Sequence, residues 1–552
     1  MIADIHITEK SFGDKTLMKD VKFSVDDGEK VGVVGRNGVG KSTLFGILSG
    51  KDTDYTGEVI FRRGITIATT AQEHHGLGDQ TVMSYILGGL PEYSKLKKII
   101  DEYPLTMGDN MRKIEEYTQA LERFDQKGFY QVEEKIEREL SNFQLDGYGN
   151  RRISSLSGGQ KRLVEIVKIM HSEAHLALID EPTNHMDYVA KQQFIDWMNS
   201  QPHQAMLIIT HDRDVLGQVD RIAEIKDGQA VSYRGNYDAY LKQNAQATTA
   251  GMNNFEQIEK RIVNLKQKVL DYQRLKEKSR NPGTIQKFKR LENEARAELA
   301  ELSEMEKPTF WIDKESASQL DYKSAERYGK FKSRNIRLSM KDASSRSQHV
   351  LVRAENVAVG IGERILFEDV NIDLREGEAI EIRGRNGAGK TTLIRMILAS
   401  GKSFDGGPVL YSGDIFLDPQ VRIGVYEQEI DERYLSDPLE KAIEKLYMSR
   451  DLSISDTKIR QLLADYLFTD ADRMTPLARL SGGQKARFQI ISMLANDPQL
   501  LVLDEPTNHL DLPSIEELET ALVKYSGAIL YVSHDNYFRE KLGGKVVQIG
   551  AE

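Results

Sequence analysis

The sequence predicts an α/β chain built from two copies of one domain joined by an α-helical hairpin, on three observations. Gly35-Arg36-Asn37-Gly38-Val39-Gly40-Lys41-Ser42-Thr43 recurs as Gly384-Arg385-Asn386-Gly387-Ala388-Gly389-Lys390-Thr391-Thr392. Downstream, in the same order, Leu156-Ser157-Gly158-Gly159-Gln160 recurs as Leu480-Ser481-Gly482-Gly483-Gln484, Asp180-Glu181 as Asp504-Glu505, and His211 as His534. Between the copies lie about 100 residues that match neither.

Taken in chain order, the first copy is placed at 1–243 and the second at 350–552, with a linker at 244–349. Val31–Val34 and Ile380–Arg383 are short strand-like runs feeding straight into the glycine-rich turns, and helical sequence follows each turn. Gln72 matches Gln428, and from there to the Leu-Ser-Gly-Gly-Gln stretch the first copy runs 72 to 156 but the second only 428 to 480. The extra residues fit the charged, helix-prone stretch near 93–127 as a short helical arm. In the linker, Ile258, Ile262, Leu265, Val269, Tyr272 and Leu275 have the spacing of a coiled-coil seam. Arg280-Asn281-Pro282-Gly283 breaks that helix, and a second carries Ile285, Phe288, Leu291, Ala295, Leu299, Leu302 and Met305. An antiparallel hairpin over about 253–306 follows, each arm of about 26 residues reaching on the order of 40 Å.

Composition bounds the chemistry. The 552 residues contain no cysteine, which excludes disulfides, Cys-ligated zinc, iron–sulfur clusters and thiol catalysis. No apolar run is long enough to cross a membrane, and Asp4 interrupts the N-terminal stretch where a signal peptide needs an apolar core, so a soluble, cytoplasmic protein is expected. A net charge of −10, if evenly spread, argues against a nucleic-acid partner.

A strand, a Gly-x-x-x-x-Gly-Lys-[Ser/Thr] turn and a helix form the context of a phosphate loop. Glycines let backbone N–H groups turn inward onto phosphate, and the helix presents its positive end. Gly35, Asn37, Gly38, Gly40, Lys41, Ser42 and Thr43, with Gly384, Asn386, Gly387, Gly389, Lys390, Thr391 and Thr392, are therefore the expected nucleotide contacts. Lys41 and Lys390 suit the β- and γ-phosphates of ATP, and the hydroxyls of Ser42 and Thr391 suit Mg²⁺. Asp180 and Asp504 end buried-strand runs and would join the Mg²⁺ shell. Glu181 and Glu505 are placed to polarise the attacking water, and His211 and His534 to contact the γ-phosphate. His74-His75 reads as surface loop.

With these motifs in this order over both copies, the sequence resembles the ATP-binding cassette superfamily, so the fold class becomes two P-loop ATP-binding cassette domains joined by an α-helical hairpin linker. The resemblance implies that the cassettes face each other head to tail within one monomer. ATP on Lys41 and Ser42 is then completed by Ser481 and Gly483, and ATP on Lys390 and Thr391 by Ser157 and Gly159. It also implies roles for Gln72 and Gln428 at Mg²⁺ and nucleotide, for Gln160 and Gln484 in the signature, and for Phe12 as the aromatic stacked on adenine, where the second copy has Ile361. The signature arginine shifts by one, Arg162 in the first copy against Arg487 in the second. Both sites keep glutamate and histidine, so both are expected to hydrolyse ATP.

Twin cassettes, a helical linker, Glu-Pro-Thr-Asn-His-[Leu/Met]-Asp at both strands and Gly235-Asn-Tyr-Asp-Ala-Tyr240 resemble the ABC-F translation factors. That resemblance implies a ribosome-bound ATPase seated at the tRNA exit site in its ATP-closed state, its linker reaching toward P-site tRNA and the peptidyl-transferase centre. Charge agrees with the implication. Across 266–290 stand Lys266, Lys268, Arg274, Lys276, Lys278, Arg280, Lys287, Lys289 and Arg290 against only Asp271 and Glu277. Such a run is often just the solvated face of a coiled coil, but its concentration at the hairpin tip suits insertion among rRNA and tRNA backbones. Tyr272 and Phe288 hold heptad positions and fit core packing better than base stacking. The short tip tilts the reading to general translation over antibiotic protection, since many resistance members extend it. A DNA-repair or chromosome-maintenance ATPase is the alternative, although its coils are usually far longer. A transporter's ATPase subunit is weakened by the linker.

Overall fold

The computed structural model describes residues 1–13, 15–70, 80–106, 108, 110–184, 186–305, 307–318, 320, 322–338, 349–402, 407–427 and 430–550. The chain divides into two compact units, Met1–Tyr237 with Ile336–Glu552, and Asp238–Asn335.

The first unit holds the two repeats. In each, a mostly parallel sheet carries the motifs. In the first repeat the strand order is Ile67–Thr69, Leu176–Asp180, Ala205–Ile209, Lys30–Gly35, Arg221–Lys226 and Gln229–Arg234, only the last being antiparallel. The second repeats it as Ile423–Tyr426, Leu500–Asp504, Ala528–Val532, Ala379–Arg383 and Lys545–Gln548, all parallel. The central strands are continuous apolar runs because both faces are covered. Successive residues point to opposite sides. Ala177 and Ile179 pack into the helical layer, whereas Leu176 and Leu178 pack under the helix Lys41–Leu48 and the antiparallel sheet Ala3–Phe12, Lys15–Val25 and Thr56–Phe61. Leu501 and Leu503 against Leu500 and Val502 do the same in the second repeat.

The stretch inserted in the first repeat forms helices Tyr93–Thr106 and Met111–Gln126. They run antiparallel, with the Tyr93 ring 5.6 Å from Phe124 and 5.2 Å from Phe129 at the root. At the far end Leu105 and Met111 are exposed.

The second unit contains a hairpin that starts earlier than the heptads suggest. Its first arm belongs to one helix, Tyr237–Lys278, of 42 residues, on the order of 60 Å long, and its second is Pro282–Ser303. The 237–254 stretch is polar and shows no seam. It is helical because Met252 is buried with Ile312, Tyr328 and Phe331, and Gly251 lets the Phe310 ring sit against the backbone, where a Cβ would come within 2.6 Å. The unit also ends before the expected 349: Ile336 is buried in the second repeat's core, and Arg337 N–H donates to the Asp465 carbonyl at 2.9 Å. Along the hairpin, Leu265, Val269 and Ala295 form the seam, Tyr272 and Phe288 stack on each other at 6.4 Å, and Arg261 grips Glu298 through two hydrogen bonds. Asn281 caps the second arm, with Pro282 in its first turn, so only Ser279, Arg280 and Asn281 separate the helices.

Candidate nucleotide sites

Both phosphate loops lie where parallel strands end and helices begin, the usual ligand crevice of an open α/β sheet. Gly40 and Gly389, the residues before the helices, have φ of 103° and 99°, a left-handed conformation that L side chains rarely adopt. The lysines fold back across the loops: Lys41 Nζ donates to Gly35 O at 2.7 Å and Arg36 O at 3.2 Å, and Lys390 Nζ to Gly384 O at 2.9 Å and Arg385 O at 3.1 Å. Beside them Ser42 Oγ donates to Asp180 Oδ2 at 3.1 Å and Thr391 Oγ1 to Asp504 Oδ2 at 2.7 Å. Among the described residues there is no group of three or more His, Cys, Asp or Glu able to hold a metal. A hydroxyl and one carboxylate, leaving positions for phosphate oxygens and water, suit Mg²⁺ better than an all-protein cage.

Glu181 and Glu505 follow directly, at φ of 48° and 53°. Their conformation is held from the neighbouring strand: Glu181 N–H donates to Ile209 O at 2.8 Å and Glu505 N–H to Val532 O at 3.0 Å. Each carboxylate faces its histidine, with His211 Nε2 to Glu181 Oε1 and His534 Nε2 to Glu505 Oε1 both 3.5 Å. Burial, with the Asp180 charge adding, pushes the Glu181 carboxyl up to about 8, and burial raises Glu505 likewise. Burial and then the adjacent lysine push both imidazoles down to about 3, so they stand neutral. Among the described residues, His211 Nδ1 and Nε2, His534 Nε2, Asp504 Oδ1 and Glu505 Oε1 are buried and find no hydrogen-bond partner. Such groups are costly unless a polar ligand meets them, and a γ-phosphate with its metal and attacking water fits this donor and acceptor set.

The repeats meet head to tail. Asn37 N–H donates to Asp511 Oδ2 at 3.1 Å, and its side chain donates to His509 O at 2.9 Å. Reciprocally, Asn386 N–H donates to Asp187 Oδ2 at 3.1 Å. A cavity of about 1190 Å³ is lined by Ser157 and Gly159 of one repeat and by Lys390, Thr391, Glu505 and His534 of the other. On the opposite side Gly483 lies so close to Asn37 that a Cβ would stand 1.9 Å from Asn37 Nδ2. Gly483→Val is therefore expected to hold the repeats apart and lower steady-state ATP turnover by about tenfold or more, measured as phosphate release.

The family model described as ABC transporter matches residues 18–184 and 367–508. The chain belongs to the ABC transporter family. It is an ATPase of the twin-cassette ABC-F type, whose members match it along its length. It is 28% identical to the ABC transporter F family member 2 of Arabidopsis thaliana, covering 98% of this chain and 75% of that protein. It is 27% identical to the energy-dependent translational throttle protein EttA of Mycobacterium tuberculosis, over 96% and 88%. An archaeal ribosome recycling factor, aABCE1, solved in complex with the ribosomal stalk protein aP1, has the same fold with a TM-score of 0.58 at 17% identity, over 99% of this chain and 87% of that one.

Within these cassettes several of the expected contact residues also have protein partners, and Gln160 lines the cavity as well. Gln160 and Gln484 complete capping boxes on their own helices, accepting from Ser157 N–H at 3.0 Å and Ser481 N–H at 2.9 Å. Their amides are also engaged, with Tyr148 and Asp472. Both glutamines thus shape the signature turn, and Ser157 and Gly159 line the cavity. Phe12 is exposed, with Lys10 Nζ 4.8 Å from its ring centre, and Ile361 lines the cavity. The shifted arginines diverge: Arg162 Nη1 donates to Asp180 O, whereas Arg487 Nη1 ties down Tyr466 O and Leu467 O. Gln72, Gln428 and His74-His75 lie outside the described residues. Of the nine linker cations, eight are exposed, while Lys276 is committed to the buried Glu292 at 2.6 Å. Sequence reasoning missed Asp187 and Asp511 as cross-cassette acceptors, although their place at the end of both Glu-Pro-Thr-Asn-His motifs was the available signal.

Proposed function

We propose that this ATPase is an ABC-F translation factor that binds the ribosome at the tRNA exit site while ATP holds the cassettes closed, and leaves on hydrolysis. The observation that carries the reading is the hairpin. Seven exposed cations lie along two helices and an eighth, Arg280, in the three-residue joint between them, in a chain whose net charge is −10. A narrow, positive probe suits the phosphate backbones of rRNA and P-site tRNA, and the relative named as a translational throttle supports translation as its setting. The short turn supports general translation over drug protection.

In this reading Lys41 and Lys390 would hold the phosphates, and Ser42 with Asp180 and Thr391 with Asp504 would hold Mg²⁺, which would neutralise phosphate charge. Glu181 and Glu505 take up the water's proton, while neutral His211 and His534 orient it and the γ-phosphate. ATP shifts the equilibrium toward the closed form only by its differential affinity, which comes from Ser481 and Gly483 on one nucleotide and Ser157 and Gly159 on the other. The cytoplasm is the expected location. Among the described residues no helix is long and apolar enough to cross a membrane. Binding of the full chain to ribosomes, duplex DNA and lipid vesicles, each with and without ATP, tests the assignment. The expected outcome is ATP-dependent binding to ribosomes alone; ATP-dependent preference for duplex DNA would instead support the repair-type reading.

A further inference from the structure

Behind the two histidines the repeats are not equivalent. Alignment on Asp187 and Asp511 sets Lys191 against Ile515, and alignment on His211 and His534 sets Arg213 against Asn536. The first cassette alone therefore brings a lysine and an arginine to these positions, and both are 4% exposed. Lys191 Nζ donates to Asp214 Oδ2 at 2.6 Å, stands 3.2 Å from Asp212 Oδ2, and donates across the boundary to the main-chain carbonyl of His534 at 2.8 Å. Asn536 Nδ2 returns from the second cassette to Asp214 Oδ2 at 2.8 Å, and Arg213 Nη1 meets Glu519 Oε1 at 2.9 Å.

The main chain of His534 is thus held on both sides of its Cα. Its carbonyl accepts from Lys191, and its N–H donates to Glu505 Oε2 at 3.1 Å. A buried ammonium flanked by two carboxylates has little freedom, because leaving either charge unpaired is costly. The first site lacks the counterpart, since the Ile515 side chain has no donor to offer the His211 peptide. We propose that Lys191 is a positioning residue for the second ATP site: acting from the first cassette, it fixes the main chain of His534 at its carbonyl and, through the same residue's N–H, the carboxylate of Glu505. One site's geometry then depends on the other cassette's loop after His211, and not the reverse.

The inference rests on assigning Glu181 and Glu505 to hydrolysis, and the test separates the two. Single-turnover hydrolysis is started with Mg²⁺ on chain loaded with two ATP, in the wild type, Glu181→Gln, Glu505→Gln, Lys191→Met and Lys191→Arg. Each glutamine variant should abolish one half of the product, and failure there overturns the site assignment whatever Lys191 does. In Lys191→Met, half of the ATP is expected to react at the wild-type rate and half about tenfold more slowly. The slow half should vanish when Glu505→Gln is added, and Lys191→Arg, which retains donors, should restore most of its rate. Asp214→Asn, which loosens the ammonium while leaving the lysine in place, should slow the same half. Equal slowing of both halves, no slowing, or a slow half removed by Glu181→Gln would overturn the proposal.

Discussion

Replacing Glu181 and Glu505 together by glutamine is expected to lower ATP turnover by about 10²–10⁴-fold and to leave ATP affinity within about twofold. Glutamine matches glutamate in size, so the left-handed backbone at each position and the hydrogen bond its N–H donates to Ile209 O or Val532 O have no steric reason to change. What is lost is the one group able to take a proton from water. The facing imidazoles are poor replacements, because burial and then the adjacent lysine make each a much weaker base than an ordinary histidine. The phosphate contacts of Lys41, Lys390, Ser42 and Thr391 are untouched. Phosphate release and equilibrium ATP binding on the same preparation check both halves; a variant that lost binding in proportion to turnover would assign the glutamates to holding nucleotide.

Neutralising Lys278, Arg280, Lys287, Lys289 and Arg290 to glutamine is expected to weaken ribosome binding by about tenfold or more and to reduce the salt slope by roughly 0.7–0.9 for each phosphate left without its cation. These side chains are exposed, and the ion pair of Arg290 with Glu294 is solvent-screened, so the hairpin should stay folded. Lys276 is left in place because it satisfies the buried Glu292. Basal ATPase activity should be unchanged. Ribosome binding measured from low to high salt checks the result, and unaltered affinity with an unaltered slope would leave the charge run as only the solvated face of a coiled coil.

The parts legible in the sequence were those encoded locally. Phosphate-loop glycines, the buried strand runs before Asp180 and Asp504, and the break at Asn281-Pro282 each state their conformation within a few residues. What sequence could not show depends on distant partners. The helix beginning at Tyr237 carries many polar residues through 254, and it is held by long-range contacts, with Met252 and Gly251 packed against 310–331 and Asn244 Nδ2 donating to Trp311 O. Ile336, with Leu338 packed near it, sits in a basic stretch and joins a core whose other buried members begin at Tyr426. Gln160 and Gln484 sit in the nucleotide motif, yet their side chains turn back onto their own helix starts. The asymmetric cations Lys191 and Arg213 become meaningful only when the second cassette's His534 and Glu519 are seen beside them.

The central claim is that ATP closure makes the ribosome-binding form and hydrolysis ends it. Co-sedimentation of the Glu181→Gln, Glu505→Gln double variant with ribosomes tests it most directly, in ATP and in ADP, beside the wild type. The account predicts near-stoichiometric pelleting of the variant in ATP, little in ADP, and much less of the wild type under the same turnover conditions. Pelleting of the variant in ATP no greater than that of the wild type would contradict it.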